Sequence, residues 1–582
     1  MRNRWRLAAI GVVLILLGGI IASFTQTDGG IRIEDVRFAG TNGATMSALL
    51  YIPPNATPQK PAPGILAVHG YINSRETQAG FAIEFARRGY VVLALDQMGH
   101  GYSSPPAFAN GFGGPDGLRH LRSLPFVDKD NIGLEGHSMG GWTVLAAATA
   151  MPGDYKAMVL EGSSTGKPFA ADGTPSWPRN LALVFSKYDE FSQLMWGVAR
   201  AQDAPQSKKL QAVFGTDAAI EPSRVYGSVD DGTARVLYMP AVTHPGDHIS
   251  RDAIGYAIAW FQQTLKGGTP LPRENQIWPR KEFGTLVQLI GFVVLLLGAF
   301  QLFLAHAAFE RLALPIAADH PSLVRDGDEP PAPQRDGRWW LAFALSVIVP
   351  AVTYYPALSY AGTTIKASAF LPQTITSQIA AWALLNAAIT ALLMLAAPKR
   401  ARRMGIVLPS ILIAVATAAV GYLALTVSDL LFKTDFRFWV VGLKLLSGKQ
   451  ALIALIYLPA FTLFFLVAFR AYHRALHRQS DGAAAAYASA IGAFALAFLL
   501  ICLIQYGSLF VNGALLDLWP ATIRSIPLNT ILATQFLPLM AFVAIVAAFT
   551  LRRTGTSLPG ALLCALVVTW YIVAGQATQA AF

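Results

Sequence analysis

Along the chain, short β-rich runs alternate with helical ones in the first half, and long uncharged apolar stretches follow one another in the second. The leading apolar stretch, residues 7 to 24, follows Arg2, Arg4 and Arg6 and as helix would span roughly 27 Å, close to the hydrocarbon thickness of a bilayer. Ala22-Ser23-Phe24 is a poor small-residue cleavage site, so the stretch reads as an uncleaved anchor rather than a signal peptide. Eight further apolar stretches, at 284–306, 339–358, 375–397, 407–428, 451–469, 486–508, 528–550 and 560–578, predict membrane spans. Between them, β-rich runs at 31–38, 45–52, 64–68, 91–95, 132–135, 156–160, 182–185 and 235–239 alternate with helical patterns that include 76–88, 139–149 and 251–265. That order predicts a mainly parallel sheet covered by helices on both faces. The expected organisation is an anchor over 1–26, an α/β domain over 27–280 and an all-α bundle of eight transmembrane helices over 281–582.

Composition agrees with a membrane protein: of 582 residues 54% are hydrophobic and 14% charged, and the mean hydropathy is +0.44. The net charge of +11 is not gathered on a nucleic-acid-binding face. With the N-terminus in the cytoplasm, 16 basic residues fall in inner segments and six in the short outer loops, which places the α/β domain outside the cytoplasm. The inner loop 310–338, with Pro330-Pro331-Ala332-Pro333, reads as a flexible tether. The outer segment 436–446 mixes Phe436, Phe438, Trp439 and Leu443 with Arg437 and Lys444, a composition suited to a helix lying in the membrane interface. Cys502 and Cys564 both fall in apolar stretches, so they read as packing residues rather than as a disulfide or thiolate site.

The chemistry lies in Gly136-His137-Ser138-Met139-Gly140, a G-x-S-x-G between a β-run and a helix. Such a turn needs Gly136 and Gly140 because strand and helix come close, and it exposes the Ser138 hydroxyl in front of a helix N-terminus. With this segment, with His69-Gly70-Tyr71 after the third strand, and with Asp96-Gln97-Met98-Gly99-His100-Gly101-Tyr102-Ser103 after the fourth, the stretch from about 31 to 265 resembles the α/β-hydrolase superfamily. The last of these is similar to the D-x-x-G-x-G-x-S loop of its monoacylglycerol lipase and serine aminopeptidase-like branch. The resemblance implies an oxyanion hole made by the backbone N–H groups of Met139 and Tyr71. His69 and His100 read as structural turn residues.

Serine needs a histidine to take its proton and an acid to hold that histidine in the right tautomer. The family order of serine, acid, histidine puts the acid at Asp189, after the seventh strand, with Glu161 after the sixth as the rival. The base falls between the last strand and last helix, where His244 is preferred and His248 is the alternative. No cofactor and no metal is expected, because the histidines lack ligand spacing. The expected partners are the lipid bilayer and a small-molecule or lipid-like acyl substrate, with no nucleic acid. Only about 20 residues separate the sixth and seventh strands, too few for a helical cap, so the pocket is expected to be open or covered by the spans. A serine hydrolase cleaving an ester or related acyl bond is the first functional reading, and a serine peptidase using the same triad is the second. A sensor or transporter with the α/β domain as a binding module is the third; the scarcity of ionisable residues in the spans counts against transport.

Overall fold

The computed structural model describes residues 4–313, 335–396, 406–478, 480–517 and 525–581. After a first helix, α1 (Arg6–Gln26), the chain builds strands β1 (Arg32–Ala39), β2 (Thr45–Ile52), β3 (Ala62–Val68), β4 (Val91–Asp96), β5 (Val127–His137), β6 (Ala157–Glu161), β7 (Leu181–Val184) and β8 (Arg235–Tyr238). They form one sheet in the order β1-β2-β4-β3-β5-β6-β7-β8. The β1–β2 and β2–β4 pairs are antiparallel; from β4 to β8 all neighbours are parallel. Strands β3 and β4 are buried at every residue, the pattern of a sheet covered on both faces, whereas the edge strand β1 keeps exposed positions.

Helices α2 (Ala79–Arg87), α3 (Gly114–Ser123), α4 (Met139–Ala150), α5 (Ser192–Trp196), α6 (Lys208–Phe214) and α7 (Arg251–Thr264) complete this domain. On one face Leu118, Leu121 and Leu145 of α3 and α4 pack on Leu66, Leu93 and Leu134. On the other, Phe81, Phe85, Trp260 and Phe261 of α2 and α7 pack on Ile65, Val92 and Val159. Helix α7 starts at Ser250, whose hydroxyl accepts the Ala253 N–H at 3.1 Å. Helix α3 has no counterpart among the expected helices: Gly114 and Gly117 lower its intrinsic propensity, and burial of Leu118 and Leu121 holds it instead.

The remaining helices are α8 (Trp278–Leu304), α9 (Gly337–Thr364), α10 (Thr374–Leu393), α11 (Val407–Phe432), α12 (Gly448–Ala475), α13 (Ala483–Asn512), α14 (Ile526–Thr554) and α15 (Leu558–Gly575). With α1, nine helices among the described residues are long and apolar enough to cross a membrane. Most of the 310–338 tether and the basic 399–405 segment lie outside the described residues.

The segment expected as an interfacial helix is instead a hairpin, β9 (Phe436–Phe438) and β10 (Val441–Leu443). Its aromatic and β-branched residues favour strands, and Trp439 turns the chain at φ 57°. Phe436 is fully buried, and the Arg437 guanidinium binds the Asp435 carboxylate at 2.6 and 2.9 Å while reaching Thr77 of the α/β domain at 3.4 Å. Phe436, Val440 and Leu443 bury against protein, whereas Phe438 stays exposed.

Helices α1 and α8 run antiparallel in close contact. A Cβ on Gly18 would lie 2.3 Å from the Gly284 oxygen, and one on Gly11 would lie 2.5 Å from the Leu295 nitrogen. Small residues let two backbones approach this far, and dispersion and backbone contact then hold the pair. The α/β domain is thus inserted between two paired helices, so its chain ends leave side by side. Its exit is tied down further by Glu84 of α2, whose carboxylate accepts the N–H groups of Ile277 (2.6 Å) and Trp278 (3.0 Å) at the start of α8. Replacing Gly18→Leu is expected to force the pair apart and destabilise the protein by roughly 1–3 kcal/mol, seen as a lower Tm in detergent; an unchanged Tm would show that the seam does not hold the fold.

Candidate active site

Ser138 joins β5 to α4 with φ 55° and ψ −119°, a conformation that non-glycine residues adopt only under strain. Its N–H donates to the Glu161 carbonyl at 2.7 Å, and its own carbonyl accepts the Gly141 N–H at 2.9 Å. A Cβ at Gly136 would lie 2.3 Å from the Gly140 oxygen, and one at Gly140 would lie 2.1 Å from the Val68 oxygen, so both places admit glycine alone. The bend aims Ser138 away from the sheet, into a cavity of about 850 Å³ that His244 also lines.

His244 opens the turn that follows β8, and Asp189 sits in the loop after β7. The imidazole Nδ1 lies 2.8 Å from Asp189 Oδ2, and Asp189 Oδ1 accepts the Phe191 N–H at 2.7 Å. With Nδ1–H donated to Asp189, Nε2 carries the lone pair. The ring packs against Phe191 and His137, with centroids at 4.7 and 4.6 Å. Burial lowers the His244 pKa to about 4, with the charge of Asp247 opposing it. Burial and Asp247 also raise the Asp189 carboxyl above its usual range. Burial thus disfavours the imidazolium in the resting site, and at neutral pH the imidazole is neutral, with its one proton on Nδ1 and Nε2 unprotonated.

The alternatives are placed differently. Glu161 ends β6 completely buried behind Ser138; neither of its carboxyl oxygens has a partner among the described residues, and burial, Glu135 and Asp247 raise its pKa well above the carboxylate range. His248 lines the cavity, but neither ring nitrogen has a partner among the described residues, and burial lowers its pKa well below the usual value. Of the two candidate acids and two candidate histidines, Asp189 and His244 are the pair in hydrogen-bond contact among the described residues. His69 and His100 are buried: burial lowers both to about 3, and the Gln97 N–H donates to His69 Nε2 at 3.2 Å. Asp96 accepts from Ser47 Oγ (2.8 Å) and from the N–H groups of Arg75 (3.0 Å) and Tyr102 (3.1 Å), which holds the loop after β4.

Met139 is the first residue of α4 and Tyr71 lies in the turn after β3; both line the cavity beside Ser138. Neither N–H donates to another described residue. Among the described residues no group of three or more His, Cys, Asp and Glu side chains is placed to hold a metal ion.

Two cavity residues have no counterpart in the sequence-based set. His137, the residue before Ser138, sends Nε2 to the His244 carbonyl at 2.9 Å, and its ring lies 4.1 Å from that of His248. Its place inside the G-x-S-x-G was the one available signal. Glu190 accepts the His244 N–H at 2.7 Å, and only its adjacency to Asp189 pointed to it.

The helical bundle supplies the rest of the wall. Val440, Pro527, Leu528, Ile531 and Gln535 line the cavity together with Phe108, Trp142, Phe169 and Leu194. The short β6–β7 connection adds Lys167, Pro168 and Phe169 but no helix, so the cover comes from the bundle. Bundle residues also bind the loops of the site. Trp439 Nε1 donates to the Pro245 carbonyl at 2.5 Å, Gln579 Nε2 to the Tyr71 hydroxyl at 2.5 Å, and the Tyr506 hydroxyl to Glu190 at 3.0 Å.

Comparison with known proteins agrees with this fold. Residues 59–199 match the family described as serine aminopeptidase, S33. The chain is 32% identical over 166 residues to a monoacylglycerol lipase of Mycolicibacterium smegmatis, covering 26% of this chain and 52% of that protein. It is 31% identical over 131 residues to human dipeptidyl peptidase 8, covering 20% of this chain and 15% of that one. The chain thus spans about half the length of the lipase and a small part of the peptidase. Among solved structures, an esterase of Pyrococcus furiosus aligns with a TM-score of 0.31 at 17% identity, over 42% of this chain and 94% of its own. The chain carries a serine hydrolase-like α/β-hydrolase domain, joined to a bundle of apolar helices.

The buried imidazole makes a testable prediction. In the folded protein His244 titrates at about 4, below the ordinary 6.5. Between those values the unfolded chain binds the proton and the folded chain does not. Its contribution to stability is therefore complete above about 6.5 and is lost progressively as pH falls toward 4. NMR titration of the labelled imidazole should give a midpoint near 4; a midpoint at or above 6.5 would refute the buried neutral assignment.

Proposed function

We propose that the protein is a membrane-anchored serine hydrolase that cleaves an ester or related acyl bond in an at least partly apolar substrate. The observation that carries this reading is the shared cavity: Ser138 and the Asp189-bound His244 line it together with apolar residues of both domains, among them Phe108, Trp142, Phe169, Leu528 and Ile531. Its volume of about 850 Å³ is that of a small-molecule site. In this mechanism Ser138 Oγ attacks the acyl carbon while His244 Nε2 takes its proton. Asp189 keeps the imidazole in the required tautomer and stabilises the imidazolium that forms. The N–H groups of Met139 and Tyr71 meet the oxyanion of the tetrahedral intermediate. The imidazolium then protonates the leaving oxygen, and a water deprotonated by His244 releases the acyl group from Ser138.

Nine apolar helices and the excess of basic residues in the inner segments support an arrangement with the α/β domain outside the cytoplasm. The cavity then lies at the outer ends of the spans, because Pro527 and Leu528 begin α14. An amphiphile could leave the outer leaflet and keep its apolar part covered between Leu528, Ile531 and Phe169. Peptide cleavage is the second reading, favoured by the match to the serine aminopeptidase family, since the same groups would act on an amide.

Ser138→Ala is expected to abolish labelling by a fluorophosphonate, and His244→Ala to lower kcat/KM by roughly 10⁴-fold. Activity persisting in Ser138→Ala would remove the mechanism, and hydrolysis of peptides in preference to esters would move the assignment to the peptidase reading. Ile531→Trp should narrow the bundle side of the cavity and reduce kcat/KM for long-chain esters far more than for acetyl esters. An equal loss on both would show that the bundle does not shape substrate choice.

A further inference from the structure

Glu190 is only 7% exposed, and both of its carboxylate oxygens are engaged. Oε2 accepts the backbone N–H of His244 at 2.7 Å, and Oε1 accepts the hydroxyl of Tyr506 on α13 at 3.0 Å. The hydroxyl of Thr534 on α14 donates in turn to the Tyr506 oxygen at 3.3 Å. The chain of contacts therefore runs from two bundle helices to the main chain of the histidine. Asp189, the adjacent residue, holds the same histidine by its side chain. One loop thus grips His244 twice, once at Nδ1 and once at the backbone, and only the second grip continues into the bundle. The loop that carries His244 has a further bundle contact one residue on, at the Pro245 carbonyl under Trp439.

Burying a carboxyl costs free energy unless its hydrogen bonds are made. The full use of Glu190 therefore marks the bridge as a single unit rather than as two incidental contacts. We propose that Glu190 is a positioning residue for the proton-transferring histidine, with Tyr506 as its anchor in the helical bundle, so that the spans set the geometry of the site. This inference rests on the serine hydrolase reading given above. Burial and the neighbouring Asp189 raise the Glu190 pKa to about 8, while the hydrogen bonds from the His244 N–H and the Tyr506 hydroxyl pull it down.

The test uses the full-length protein in detergent with a short soluble ester, so that the apolar wall has little part in the outcome. A small displacement of the base should appear in kcat rather than in KM. Glu190→Ala is expected to lower kcat by roughly 10²-fold with KM nearly unchanged. Glu190→Gln retains an acceptor for the His244 N–H and a polar group toward Tyr506, and should recover most of that loss. Tyr506→Phe removes one hydroxyl and should lower kcat in the wild-type background but add nothing to Glu190→Ala, because the two act as one unit. With Ser138→Ala inactive, the proposal is overturned by wild-type kcat in Tyr506→Phe, by losses confined to KM, or by additive effects in the double variant. Hydrolysis surviving in Ser138→Ala would instead remove the serine mechanism itself, and this inference with it. Should Glu190→Ala fail to fold, Tyr506→Phe and Glu190→Gln still decide the matter.

Discussion

The contact on which the molecule depends is the close antiparallel approach of α1 and α8 at Gly11, Gly18 and Gly284. Two helices brought this near behave as one post, and the whole α/β domain is carried as an insertion at one end of it. The carboxylate of Glu84, on the first two N–H groups at the start of α8, restrains the exit further. A domain held at both chain ends has little freedom to turn. That restraint is what allows short side-chain contacts, such as Trp439 on Pro245 and Gln579 on Tyr71, to persist between the two halves. Each contact falls on a loop that also carries a residue of the proposed site.

The site itself is unusually rich in buried ionisable groups: His137, His244, His248, Glu161, Asp189, Glu190 and Asp247 are all under a tenth exposed. Desolvation is the largest influence on the groups whose pKa moves, raising the acids and lowering the histidines. A neutral imidazole in contact with a carboxyl follows from that environment, without a separate device to remove its proton. The strained turn at Ser138 survives because β5, β6 and α4 hold it through the Glu161 carbonyl and the Gly141 N–H. The bundle then supplies what a helical cap would otherwise supply, an apolar wall facing the nucleophile.

Much of this was legible in the chain because it is local. Each of the β-rich runs lies within a residue or a few of an observed strand, since period and composition act over a handful of neighbours. The G-x-S-x-G bend is equally local, because its glycines answer to clashes with nearby backbone. The errors also have physical causes. The segment 436–446 mixes apolar and basic residues in a way that suits an interfacial helix, yet it folds as a hairpin because Phe436 and Leu443 find protein to bury against and Arg437 finds Asp435. Helix α3 was hidden by Gly114 and Gly117, whose poor propensity is outweighed by packing on the sheet.

Sequence alone determined the α/β alternation, the run of apolar helices and the bend that presents Ser138, because these depend on residues close together in the chain. It also narrowed the partners of Ser138 to two acids and two histidines. Tertiary structure decided which of them meet: Asp189 lies 2.8 Å from His244, Glu161 is held apart behind the bend, and neither ring nitrogen of His248 has a hydrogen-bond partner among the described residues. It decided as well that Glu190 joins His244 to Tyr506, across 316 positions of chain, and that α14 walls the cavity. No periodicity or spacing encodes such contacts, because they arise only when two separately folded layers are pressed together by the helices that carry them.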